Sequence, residues 1–148
     1  MKYSKLQEFI KTNRQEAYFT GGVSDEKVKE TEIRLQVPLP ESYKWFLRNY
    51  GYGGIFGVEI IGYGLTGPAV VDATKDYQKY FKLIDGIVVI ENVDEFAYCL
   101  DTNKMQNGEC PVIMWDNQEG YGRKLAINFV DYFIDRLELA KEEWDEDW

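Results

Sequence analysis

Tyr43, Phe46, Leu47 and Tyr50 fall at i, i+3, i+4 and i+7, with Pro40 ahead of them and Gly51, Gly53 and Gly54 directly behind. No other stretch of the chain restricts its fold so tightly. At 3.6 residues per turn those four side chains share one face, so the spacing predicts an amphipathic helix docked on a core. Pro40 suits the first turn, where a missing N–H is no loss, and Gly51 is the expected stop. The glycines that follow let the chain turn sharply into a different kind of structure.

Two shorter helical patterns come first. Tyr3, Leu6, Phe9 and Ile10 mark an opening helix, which Thr20-Gly21-Gly22 breaks. Ser24 is a good N-cap, Asp25 and Glu26 favour the positive end of the helix dipole, and Val28, Thr31 and Leu35 form a face that ends before Pro38. After residue 52 the period changes. Residues 55–61 read as a strand, 62–68 as a loop, and 69–81 as a helix carrying Val70, Val71, Tyr77 and Phe81. Three short strands follow at 87–90, 96–100 and 112–115, joined by residues 91–95 and by a longer loop with the turn signal Asn107-Gly108. Connections this short imply antiparallel neighbours, because a parallel crossover needs about a dozen residues or more. A last helix is expected from about Leu125, with Phe129, Phe133, Leu137, Ala140 and Trp144 at helical spacing. From about residue 142 its acidic tail is expected to fray, since carboxylates oppose the dipole at a helix C-terminus. The order predicts an α+β fold: N-terminal helices, a central mixed or mostly antiparallel sheet, and a C-terminal helix packed on it. One domain spanning residues 1–148 is the expectation for a chain of this length.

Chemistry is constrained as firmly. The chain has no histidine, which removes Ser–His and Cys–His pairs, a histidine base and histidine metal ligands. Its net charge of −9 runs against direct nucleic-acid binding, which needs basic groups to displace phosphate counterions, and suits a basic protein partner. The polar N-terminus and the lack of a long apolar window predict no membrane segment and a cytoplasmic location. Cys99 and Cys110 are too few for a disulfide scaffold; they flank a turn and are expected to be buried free thiols.

One motif competes for attention. Gly62-Tyr63-Gly64-Leu65-Thr66-Gly67 matches G-x-G-x-x-G after a strand, and Glu91 ends a later apolar strand, as a ribose-binding acid does in a dinucleotide fingerprint. Glu91 lies farther on than the usual spacing of about 20 residues, and the helical start and strand meander are unlike a dinucleotide-binding unit. A glycine-rich connection is the expectation. Carboxylate pairs such as Asp94/Glu95 and Asp116/Glu119 are unspecific among 26 acids, and Asp101, Asn103 and Glu109 lack Ca²⁺-loop spacing. No catalytic residue, cofactor or metal is expected.

The run Glu32-x-x-Leu35, Leu39-Pro40-x-x-Tyr43-x-x-Phe46-Leu47, Tyr50-Gly51-x-Gly53-Gly54 resembles the opening of the SUKH superfamily, which includes the fungal Smi/Knr cell-wall-assembly regulators. Asp101 after a strand, Pro111-Val112 opening the next, Trp115-Asp116 ending it and Leu125-Ala126 with Phe129 at the closing helix continue the similarity. The resemblance implies a non-enzymatic binding domain. Small bacterial members look like immunity proteins, each neutralising a cognate toxin, often a basic nuclease domain delivered by contact-dependent or LXG-type systems. The alternative it implies is a regulatory scaffold like the fungal members. For a partner surface, loop position singles out Asp94 and Glu95, Glu109, and Asp116 with Glu119, with Tyr52 as an aromatic anchor.

Overall fold

The computed structural model describes residues 1–147. Five α-helices, α1 (Tyr3–Thr12), α2 (Asp25–Leu35), α3 (Glu41–Asn49), α4 (Ala69–Tyr80) and α5 (Phe129–Glu146), surround two antiparallel sheets. The smaller sheet has the order β1-β2-β3, from Ala17–Phe19, Gly53–Ile55 and Val58–Ile60. The larger is a meander, β4-β5-β6-β7, from Ile87–Val93, Phe96–Asp101, Val112–Asp116 and Gly120–Ala126. The α+β class holds, and neither sheet contains a parallel pair.

Strand alternation sorts the larger sheet into two layers. Val88, Ile90, Leu100 and Val112 face a core built with Leu6, Tyr43, Phe46, Phe129 and Phe133. Ile87, Val89, Ala97, Cys99, Ile113 and Trp115 face the other way and are covered by Tyr77 and Leu83. The α4 helix is bolted to this second face by Thr74, whose hydroxyl accepts the Val89 N–H at 3.0 Å. Phe46 shows how the opening stripe works. It is fully buried and meets the rings of Phe129 and Phe133 edge-on, each at 5.6 Å, and those of Phe19 and Tyr50 at 6.3 and 5.9 Å. Tyr43 anchors the same helix through its hydroxyl, donated to the Ile61 carbonyl at 2.6 Å.

Several boundaries differ from the sequence reading, each for a local reason. The α1 helix ends at Thr12, and the edge strand β1 precedes Thr20-Gly21-Gly22. Pro40 is the N-cap of α3, one position before the first turn. The strand expected at 55–61 is a hairpin: Phe56 and Gly57 take positive φ (54° and 83°), the two-residue turn that matches strand twist. The first connection of the meander is shorter than 91–95, since β4 runs to Val93 and turns on Asp94-Glu95 alone. Leu125 and Ala126 belong to β7, and α5 starts at Phe129, where Asn128 accepts the Asp131 N–H at 2.9 Å as N-cap. The acidic end of α5 stays helical through Glu146. Lys141 pairs with Asp145 one turn on, and Trp144 packs on Phe56 at 5.7 Å, so side-chain docking outweighs the unfavourable dipole.

A β-bulge in β4 sets up a buried ion pair between the larger sheet and α5. Pairing with β5 slips between Val89 and Glu91, so the consecutive residues Ile90 and Glu91 both face α5. Glu91 is only 4% exposed; it accepts from the Tyr132 hydroxyl and from both Nε and Nη2 of Arg136. Tyr98 lies under that guanidinium, 5.5 Å from ring centroid to Cζ. The carbonyl of Ile90 meanwhile accepts the Ile61 N–H at 2.7 Å, joining the strand that leaves the small sheet to the large one.

Candidate functional site

Four of the six residues singled out from the sequence meet at one edge of the meander. The Asp94-Glu95 turn and the turn after Asp116 lie side by side because Phe96 pairs with Asp116. Asn117 locks them. Its N–H donates to the Glu95 carbonyl at 3.0 Å, its amide to the Asp94 carbonyl at 3.5 Å, and its side-chain oxygen accepts the Tyr77 hydroxyl at 2.8 Å. The double turn is thereby fixed to α4 as well as to itself. Asp116 holds the second turn from within, accepting the N–H groups of Gln118 and Glu119 at 2.8 and 3.0 Å; these bonds lower its carboxyl below the usual range. Asp94, Glu95 and Glu119 are exposed, and none of the four carboxylates forms an ion pair among the described residues. Negative charge is concentrated here on rigid supports.

Tyr52 and Glu109 lie elsewhere. Tyr52 stands beside the small sheet and donates its hydroxyl to Glu59; burial first, and then that bond, push its phenol up to about 12. Its neighbours on the outer face are Tyr18, Gly54 and Glu59, which share one row across the three strands. Glu109 sits at the far end of the meander, in the β5–β6 loop, and its carboxylate is already engaged. It accepts the Ser42 N–H at 3.0 Å and the Ser42 hydroxyl, while the Gly108 carbonyl accepts the Glu41 N–H at 2.9 Å. Pro40 has no side-chain acceptor to offer the first turn of α3, so a distant loop supplies one. We expect Glu109→Ala to cost about 1–2 kcal/mol of stability, by stripping two donors on buried Ser42 of their acceptor. Urea unfolding measures this, and a loss within experimental error would show that water replaces the cap at no cost.

The other residues weighed as chemistry also have structural employment. Gly62 is small because its backbone crosses that of Gly51: a Cβ there would lie 2.0 Å from the Gly51 carbonyl oxygen. Glu91, in place for a ribose only on paper, is buried against Arg136. Asp101 is 2% exposed and accepts the Tyr121 hydroxyl at 2.6 Å and the Asn103 N–H at 3.2 Å. Cys99 and Cys110 are free, buried, and packed in opposite layers of the sheet, so they do not face each other. Burial raises both thiols, Cys110 to about 12, and leaves neither as a ready nucleophile. Among the described residues no group of His, Cys, Asp and Glu is placed to hold a metal, and no helix is long and apolar enough to cross a membrane.

A family model, SUKH_5, described as SMI1-KNR4 cell-wall, matches residues 4–138. The chain belongs to this SUKH family.

SUKH membership accounts for the sequence signature, and the structure gives each element of it a task. Glu32 accepts the Leu39 N–H at 2.8 Å and so fixes the bend between α2 and α3. Leu39, Tyr43, Phe46 and Leu47 are all at most 2% exposed. Gly51 occupies a crossing of three chain segments, and Asp101 holds Tyr121 across the sheet. In this SUKH chain the signature is therefore spent on folding, while the exposed carboxylates of the double turn lie outside it. Sequence reasoning missed Tyr121, Arg123 and Lys124, which stand on β7: it assigns no element to residues 120–124 and places only Leu125 and Ala126 of this strand in the closing helix.

Proposed function

We propose that this SUKH protein is an immunity protein that binds a cognate toxin, with the Asp94/Glu95–Asp116/Glu119 double turn as its principal contact surface. The observation that carries the reading is the set of four carboxylates, none in an ion pair among the described residues, on turns held by Asn117 and α4. A preformed acidic edge of this kind favours a basic partner, speeds encounter and avoids ordering costs on binding. A basic nuclease domain has that charge, since its own substrate demands it. Binding there would cover the surface that the toxin uses for nucleic acid. The protein acts by occupation and not by turnover, and it works where its toxin is made, in the cytoplasm.

The test begins with capture of the partner from producing cells, followed by calorimetry of the purified pair. Asp94→Asn with Glu95→Lys and Glu119→Lys takes the edge from net −4 to net +1, and the asparagine tolerates the positive φ of 54° at residue 94. We expect affinity to fall by about tenfold or more and its salt dependence to flatten. Unchanged affinity in a normally folded variant would remove the double turn from the interface. A captured partner with no toxic activity would remove the immunity reading itself.

A further inference from the structure

The meander ends in an open edge. β7 hydrogen-bonds only to β6, and among the described residues no backbone group of Gly120–Ala126 bonds beyond that ladder. At seven residues it is as long as any strand of the fold, and Tyr121, Gly122, Arg123 and Lys124 are all exposed. A cleft lies against each face of this edge. One, of about 360 Å³, is lined by Lys104, Tyr121 and Lys124 on the face away from α5. The other, of about 300 Å³, is lined by Arg123, Leu125 and Leu139 on the α5 side. An added strand alternates its side chains between the two faces, so it would present them to both clefts in turn.

Charge selects the occupant. Arg123 and Lys124 form no ion pair among the described residues, in a chain of net charge −9. A second copy of this chain, pairing β7 to β7, would bring those cations together and is disfavoured. We propose that β7 is the docking edge for an extended, carboxylate-rich segment of a partner protein, which adds to the meander as a fifth strand. Asp116 and Glu119 stand at the start of β7, so the partner's carboxylates belong farther along, beside Arg123 and Lys124 at its middle. This inference does not depend on whether the partner at the double turn is a toxin.

The probe is a capped heptapeptide of valine and threonine with two adjacent glutamates at its centre, one for each face, and a counterpart with two lysines there, each titrated into the full chain. Amide hydrogen exchange by NMR reads the site and fluorescence anisotropy reads the affinity. We expect the glutamate peptide alone to bind, to slow exchange at amides within residues 120–126, and to lose about tenfold or more in affinity to R123E/K124E. The substituted side chains are exposed, and an unchanged thermal midpoint verifies that the variant folds. The proposal is overturned by an absence of protection on β7, by equal binding of both peptides, or by an affinity that R123E/K124E leaves unmoved. Sedimentation showing that the chain dimerises through a β7 edge already protected without peptide would also overturn it.

Discussion

Replacing Arg136 by leucine is expected to cost about 3–5 kcal/mol of folding stability, because it breaks a buried ion pair from one side. Glu91 is 4% exposed, and among the described residues Arg136 supplies its only cationic partner, through two N–H groups. With the guanidinium gone, the Tyr132 hydroxyl is the one donor left to a carboxylate that water reaches poorly. Burial, and then the adjacent carboxylate, push the Tyr132 phenol well above its usual range, so it remains a donor and cannot give up its proton. The pair as a whole is a different matter. Two charges taken out of water lose roughly what they gain from each other, so a double variant, Glu91→Gln with Arg136→Met, is expected to recover most of the loss. Urea midpoints for the single and double variants decide the point. Should the single variant unfold within about 1 kcal/mol of the parent, Glu91 must reach solvent when Arg136 is removed.

Gly51→Ala is expected to be nearly as damaging, at roughly 3–5 kcal/mol, by summing a left-handed backbone penalty with overpacking. Gly51 has φ of +73°, and a Cβ would sit 2.1 Å from the Gly21 carbonyl oxygen and 2.9 Å from that of Tyr63. Both obstacles are backbone, held by the Gly21 N–H to Tyr50 and the Tyr63 N–H to Gly51 bonds, at 3.1 and 3.0 Å, so neither can rotate away. Gly64→Ala is the internal comparison. It alters the middle glycine of the dinucleotide-like motif, yet a Cβ there meets only the Tyr52 side chain at 3.8 Å, an ordinary contact. We expect a change within about 0.5 kcal/mol. Equal losses at the two positions would mean that the crossing has slack and that general chain stiffness governs this region.

These two sites show what the sequence could and could not disclose. Ser24 as N-cap, the stripe of α3 and the close spacing of β4 to β6 were legible because each is encoded within a few residues. β1 was not, being three residues long with no alternation to read. β7 was hidden for a physical reason: both of its faces lie largely open, so Gly120 to Lys124 carry no apolar alternation at all. Glu91 finds its partners 41 and 45 residues away, and Glu109 finds Ser42 at a separation of 67, distances over which no local pattern survives. Loop position did locate four carboxylates that the fold then gathered. It does not reveal that Glu109 also caps α3, because an acid in a loop looks the same whether it faces water or caps a remote helix.

The manner in which the double turn is fastened bears on how such a protein changes over generations. Its bonds run through main-chain groups, Asn117 and Asp116, while among the described residues the side chains of Glu95, Gln118 and Glu119 make no hydrogen bond or ion pair. Those three positions can be rewritten at almost no cost to the fold, and the signature residues that fix the fold need not shift to accommodate them. If the double turn is the contact surface proposed above, recognition and folding are separately heritable: a duplicated copy trades one partner for another by drift at the tips, with its core untouched.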